Sequence, residues 1–123
     1  MLQYFATNDK KQLDEIMQDI FGKDFPGKVG YVLSYEDKVI GIAKVSVTPE
    51  ESHIEFVGIS KLYRKKGLGD FFTRSLMNTL SYVSKVIIIE YVADYYLKFG
   101  FTKKNKKMVI NSEDIVFPSK CGH

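Results

Sequence analysis

The sequence has little cysteine. Among its 123 residues there is one, Cys121. No internal disulfide can form, which fits a reducing cytoplasm. Cys121 and His123 are too few for a metal site, and no oriented base is visible beside the cysteine to make it an acyl-transfer nucleophile. No apolar run approaches the ~20 residues that span a bilayer, so no membrane-crossing helix is expected. The opening Met1-Leu2-Gln3-Tyr4 lacks a charged segment followed by an apolar one, so secretion is not expected. There is no internal repeat, low-complexity stretch or interdomain linker. One domain over residues 1–123 is the expectation. The net charge of +3 is too small by itself to argue for a nucleic-acid partner.

Hydrophobic residues make up 45% and charged residues 27%, the composition of a soluble globular fold. Met1 to Ala6 reads as a first strand. Thr7, Asn8 and Asp9 are helix-start residues, and Leu13, Ile16, Met17, Ile20 and Phe21 recur at helical spacing. Gly22 ends that helix, and 22–28 is a loop. Val29 to Tyr35, Lys38 to Thr48 and His53 to Ile59 read as an antiparallel meander, with a turn at Glu36-Asp37 that lacks the favoured Asn-Gly or Asp-Gly. Leu68 to Val83 is an amphipathic helix with Leu68, Phe71, Phe72, Ser75, Leu76, Thr79, Leu80 and Val83 on one face. Lys85 to Glu90 holds Val86-Ile87-Ile88-Ile89, a run suited to a central strand buried on both faces. Ala93 to Phe99 is a short helix stopped by Gly100. Phe101 to Lys103 and Ile115 to Phe117 are the expected last strands. The order β-α-β-β-β-α-β-α-β-β predicts a single α/β or α+β layer structure.

Arg64-Lys65-Lys66-Gly67-Leu68-Gly69 stands where a strand gives way to a helix. Amides at a helix N-terminus are unpaired and the helix dipole adds partial positive charge, so such a loop can bind phosphate. Glycines let the backbone approach an anion closely. The plain alternative is a basic surface loop or a nucleic-acid patch. A dinucleotide-binding loop fits worse, because Gly-x-Gly-x-x-Gly needs three glycines and a parallel βαβ context, and the missing Gly-Lys-Ser/Thr ending excludes a nucleotide-hydrolysing loop.

The segment 56–69, ending in Arg-x-x-Gly-x-Gly, resembles the acyl-CoA-binding motif of the GNAT superfamily of N-acyltransferases. Ala93 to Phe101 resembles that family's C-terminal motif, in which a tyrosine lies four residues before the glycine of a Gly-Phe pair. Tyr96 matches that tyrosine. The resemblance covers the chain from its first strand to Phe117. It implies the GNAT acyltransferase fold, a mixed twisted α/β sheet with helices on both faces. In it the strand ending at Ile59 and the strand 85–90 run parallel and splay apart to admit the pantetheine arm of acetyl-CoA.

The resemblance further implies roles for residues. Arg64, Lys65, Lys66, Gly67, Leu68 and Gly69 would hold the pyrophosphate, and the backbone of Val57, Gly58 and Ile59 the pantetheine. Tyr96 would protonate the leaving thiolate, as a phenol of pKa about 10 can. Glu55 matches a position that carries the base in small-molecule acetyltransferases, and His53 matches the glutamate of histone-acetylating members. Glu55, His53 or water would deprotonate the amine. Where many members carry an asparagine after the central strand, this chain has Glu90-Tyr91-Val92-Ala93-Asp94. Tyr91 and Asp94 are the candidates to stand in for it. The implied activity is cytoplasmic N-acetyl transfer from acetyl-CoA to a primary amine, without metal. A catalytically inactive CoA-binding or protein-interaction module is the alternative. The lysine clusters at 61–66 and 103–107 leave a small nucleic-acid-binding protein as a third reading. A homodimer through the C-terminal strands is compatible with the resemblance.

Overall fold

Asp9 ends one element and begins the next. Its side chain accepts from the Gln12 backbone N–H, the capping bond that starts helix α1, Lys10–Phe21. Before it lies strand β1, Leu2–Thr7. Gly22 closes α1 in the left-handed conformation, its N–H on the Gln18 carbonyl. A computed structural model describes residues 1–118 and gives the remaining elements as β2 (Gly30–Tyr35), β3 (Lys38–Val47), β4 (Glu51–Ile59), α2 (Leu68–Val83), β5 (Val86–Ile89), β6 (Thr102–Lys104) and β7 (Lys107–Asn111). Single 3-10 segments occupy Lys61–Tyr63, Asp94–Phe99 and Ser112–Asp114. The expected helix at 93–99 is therefore the tighter 3-10 form. The seven strands follow the order β1-β2-β3-β4-β5-β7-β6.

The chain divides into two compact units: residues 1–45 with 57–75, and residues 46–56 with 76–118 of the described chain. In the first unit β1 pairs antiparallel with β2, and β2 with β3, with a register shift between Leu33 and Ser34. Glu36 and Asp37 both have positive φ, 50° and 65°. Two left-handed residues in a two-residue hairpin are the type I′ pattern, whose twist matches that of the strands. Glu and Asp tolerate it less well than Asn-Gly, which is why the sequence left the turn type open.

Leu13, Ile16 and Met17 are the buried face of α1. The loop after α1 is tied down at Phe25, which is buried. Asp14 accepts from the Phe25 N–H at 2.9 Å and from Lys10 Nζ at 2.6 Å, and Lys10 Nζ also donates to the Phe25 carbonyl at 2.7 Å. The lysine bond holds the Asp14 carboxyl below its ordinary value. Adjacent residues of β4 face opposite ways. A side chain at Gly58 would strike Ile20 and Phe21 of α1, whereas Ile59 turns toward Gly41 and toward Gly69 at the start of α2. The two helices thus meet this strand on opposite faces.

In the second unit β4 and β5 are parallel, Glu51 to Ile54 lying beside Val86 to Ile89. β5 pairs antiparallel with β7, and β7 with β6. Ile87 and Ile89 are fully buried, while Val86 and Ile88 are only partly so; one face of β5 is covered less completely than the continuous apolar run predicts. The last strands also differ from expectation. Met108 and Ile110 alternate inward in β7, so part of the lysine-rich segment is strand and Asn105, φ 61°, turns the hairpin. Ile115–Phe117 carries no strand; its backbone instead anchors through Val116 N–H on the Phe99 carbonyl at 3.0 Å. On α2 the buried residues are Phe72, Thr73, Leu76, Met77 and Leu80, and Val83 is half exposed. The stripe is rotated toward Thr73 and Met77 from the one the spacing predicts. Cys121 and His123 lie outside the described residues.

Candidate active site

The loop of the first unit is built by two left-handed residues. Lys65 has φ 65° and Gly67 φ 77°. The first is costly for a side-chain-bearing residue and the second suits glycine. The Phe71 N–H bonds the Gly67 carbonyl at 3.0 Å, the first turn of α2. The amides of Leu68 and Gly69 precede that bond, in the first turn, where a helix offers its N–H groups no acceptor of its own. A Cβ at Gly69 would meet only Ile59, at 3.5 Å. Lys65 and Lys66 are exposed. Arg64 is used differently. Its Nε donates to the Ile59 carbonyl at 2.8 Å, which ties the loop back to the end of β4. Ser60, at that same end, donates to Asp19 of α1 at 2.6 Å, a bond between residues far apart in sequence that no local pattern announces. The loop fits an anion: backbone donors, a helix N-terminus and two free-standing lysines.

The second unit holds the ionisable residues. Tyr96 is 3% exposed. Its ring packs edge-on against Tyr91, Tyr95 and Phe101. Its hydroxyl shares a 2.5 Å hydrogen bond with that of Tyr91. Burial, then the neighbouring Tyr91, pushes the Tyr96 phenol far above its ordinary value. Burial also raises Tyr91, and the bond to Tyr96 opposes that shift. Tyr91 and Tyr96 are thus brought together, as a coupled pair that stays protonated at neutral pH.

His53 sits on β4 between two carboxylates. Its Nε2 lies 2.9 Å from Glu51 Oε1, and its Nδ1 makes a short bond to Glu90 Oε2. Glu90 is itself 3.0 Å from Lys107 Nζ of β7. The bonds to Glu90 and Glu51 raise the imidazole above its ordinary value, and the bond to His53 lowers that of Glu90. An imidazole that donates from both nitrogens has no lone pair left to accept a proton. Each nitrogen of His53, one of the expected bases, thus has a carboxylate partner. Glu55, two residues on, accepts from Ser46 Oγ at 3.2 Å. Glu51, Glu90 and Lys107 were not singled out in the sequence. Glu90 could have been: it is the first charged residue after the β-branched run of β5, at the end of a parallel strand. Asp94 is exposed at the start of its 3-10 segment.

The acetyltransferase (GNAT) family model matches residues 2–80. No curated protein matches the sequence. Among solved structures, the ribosomal-protein-S18-alanine N-acetyltransferase of Escherichia coli is similar over 100% of this chain and 99% of its own, with TM-score 0.75 and 16% identity. A GNAT family acetyltransferase from Brucella melitensis, in complex with acetyl-CoA, matches with TM-score 0.70 and 12% identity over 90% of this chain and 88% of its own. Arabidopsis thaliana Naa50, in complex with the bisubstrate analogue CoA-Ac-MVNAL, matches with TM-score 0.73 and 15% identity over 89% of this chain and 98% of its own. At these identities the likeness speaks for the fold.

Proposed function

The chain belongs to the acetyltransferase (GNAT) family, and on that premise we propose that it forms one acetyltransferase domain that moves an acetyl group from acetyl-CoA to a primary amine by direct attack. The observation that carries the reading is the loop 64–69, whose left-handed Lys65 and Gly67 lead into the unpaired first turn of α2. Similar folds in complex with acetyl-CoA, and with a CoA-peptide bisubstrate analogue, support the choice of donor and of an amine acceptor.

Acetyl-CoA, when bound, supplies a thioester carbonyl as the electrophile. The residues that would hold it are the Leu68 and Gly69 amides with Lys65 and Lys66 at the pyrophosphate, and the Val57, Gly58 and Ile59 backbone along the pantetheine. Arg64 ties the loop to the end of β4 through its Nε, and its terminal N–H groups would join the lysines at the pyrophosphate. Glu55 or water takes the proton from the incoming ammonium, since His53 has both nitrogens engaged. Tyr96 hands its proton to the departing thiolate and draws on Tyr91, whose hydroxyl is within a hydrogen bond. The buried phenol is a weak acid, but a thiolate is a basic leaving group, and orientation supplies much of the rate. The cytoplasm is the proposed location, from the scarcity of cysteine.

Calorimetric titration of acetyl-CoA, followed by thiol release with a panel of amines, tests the proposal. Stoichiometric binding with amine-dependent release is the expected result. Binding without release would favour a CoA-binding module that does not catalyse, and no binding at high acetyl-CoA would overturn the reading.

A further inference from the structure

β5 ends at Ile89, while β4 runs on to Ile59. Just past the end of β5, Glu90 N–H bonds the Ile54 carbonyl of β4, at 2.9 Å. His53 and Glu90 stand beside that bond. Their side chains join there, so the two strands are closed at this point by one backbone bond and one charged side-chain bond. The same Glu90 reaches Lys107 on β7, and the same imidazole reaches Glu51. Glu90 is followed directly by Tyr91, whose hydroxyl meets Tyr96.

We propose that Glu51, His53, Glu90 and Lys107 form a proton-dependent clasp at the end of the β4–β5 pairing, and that the protonated imidazole positions Tyr91 and, through it, Tyr96. The catalytic consequence rests on the reading of Tyr96 as the acid; the clasp itself does not. The charged groups that face His53 are Glu51 and Glu55 on its own strand, Glu90 at the end of β5 and, beyond it, Lys107 on β7. Ser46 and Val47, the β3 residues of the same unit, are uncharged. With the imidazolium present, its charge balances one carboxylate and Lys107 helps to balance the other. When the proton leaves, one ring nitrogen must accept rather than donate. A carboxylate cannot donate to it, so one of the two bonds is lost. The bond to Glu90 also loses its charge assistance, and because Glu90 leads directly into Tyr91, that weakening loosens the residue that aligns the tyrosine pair. The arrangement is not that of a metal site: each carboxylate takes a different ring nitrogen, and among the described residues no group of His, Cys, Asp and Glu is set to hold a metal.

The test is imidazole-nitrogen and tyrosine-ring NMR of the whole chain across pH, with His53→Gln used to assign the two histidines. The expected result is an imidazole that keeps both N–H groups through pH 7, and Tyr91 and Tyr96 ring signals that shift in step with its titration. Glu90→Gln, which keeps the size of the side chain, should move that titration to lower pH. An ordinary or lowered histidine midpoint overturns the clasp, as do tyrosine signals that ignore the His53 titration. The wild-type titration decides this even if a variant fails to fold. A second arm measures thiol release against pH. Turnover should fall as pH rises through the His53 midpoint, with the acetyl-CoA KM steady, and the falling limb should move to lower pH in Glu90→Gln. A limb that stays in place overturns the positioning role. If the NMR result holds but no amine is acetylated, the clasp stands and the acetyl-transfer reading fails.

Discussion

Tyr91 and Tyr96 share a 2.5 Å hydrogen bond between their hydroxyls, and the rings meet edge-on with centroids 5.8 Å apart. They lie five positions apart in sequence, and the 3-10 segment Asp94–Phe99 brings them together. A buried phenol with a single polar neighbour depends on that neighbour. Tyr96→Phe is expected to lower turnover by ~10²-fold with little change in acetyl-CoA affinity. Tyr91→Phe leaves the Tyr96 hydroxyl unpaired and should cost about 1–3 kcal/mol of stability as well as turnover. Steady-state kinetics with chemistry rate-limiting, and urea unfolding, measure both. Unchanged turnover in Tyr96→Phe would remove that residue from the mechanism.

Gly67 combines φ 77° with the carbonyl that starts α2. Gly67→Glu introduces charge where an anion is proposed to bind and strains a left-handed position. Acetyl-CoA affinity is expected to fall at least tenfold, roughly 1.4 kcal/mol or more. Calorimetric affinity equal to wild type would end the assignment of the loop to phosphate.

Gly58 tests the packing beneath the proposed pantetheine strand. A Cβ there would lie 2.7 Å from Ile20 Cγ2 and 2.8 Å from the Phe21 ring. The Phe21 ring is partly exposed and can swing aside, but the Ile20 methyl belongs to a short, stiff side chain. Gly58→Ala should destabilise by about 1–3 kcal/mol. Gly69→Ala, whose new Cβ would meet only Ile59 at 3.5 Å, should change stability by less than about 1 kcal/mol. Equal effects of the two in denaturant titrations would contradict the close approach of α1.

The charges on His53 and Glu90 give stability a pH profile. The His53 value is raised in the fold, so its contribution is complete below the ordinary 6.5 and is lost as pH rises through the raised value. The Glu90 value is lowered, so its contribution is present above the ordinary carboxylate value and is lost as pH falls through the lowered one. Both side chains keep some solvent contact, and screening limits the effect to about 1 kcal/mol. Unfolding free energy should therefore show a shallow decline on the alkaline side of neutrality that Glu90→Gln removes. A wild-type profile flat from pH 6 to 9 would count against it.

Local pattern in the sequence was enough to mark most of the elements. Apolar spacing marked α1, Asp9 and Gly22 marked its ends, and the β-branched run marked β5, because these signals act between residues a few positions apart. The loop 64–69 was legible for the same reason: a strand, two glycines and a helix are contiguous. The tertiary structure decided what depends on residues distant in the chain. His53 was one of three alternatives for the base, and only the fold brings Glu90, thirty-seven positions on, to one of its nitrogens. Arg64 belongs to the contiguous loop motif, but only the fold ties its Nε to the Ile59 carbonyl. The last strand fell at 107–111 rather than 115–117 because burial of Met108 and Ile110 outweighed the polar character of the lysines around them. Ionisation and strand registry are set by which groups share a place in space, and local pattern carries little of that information.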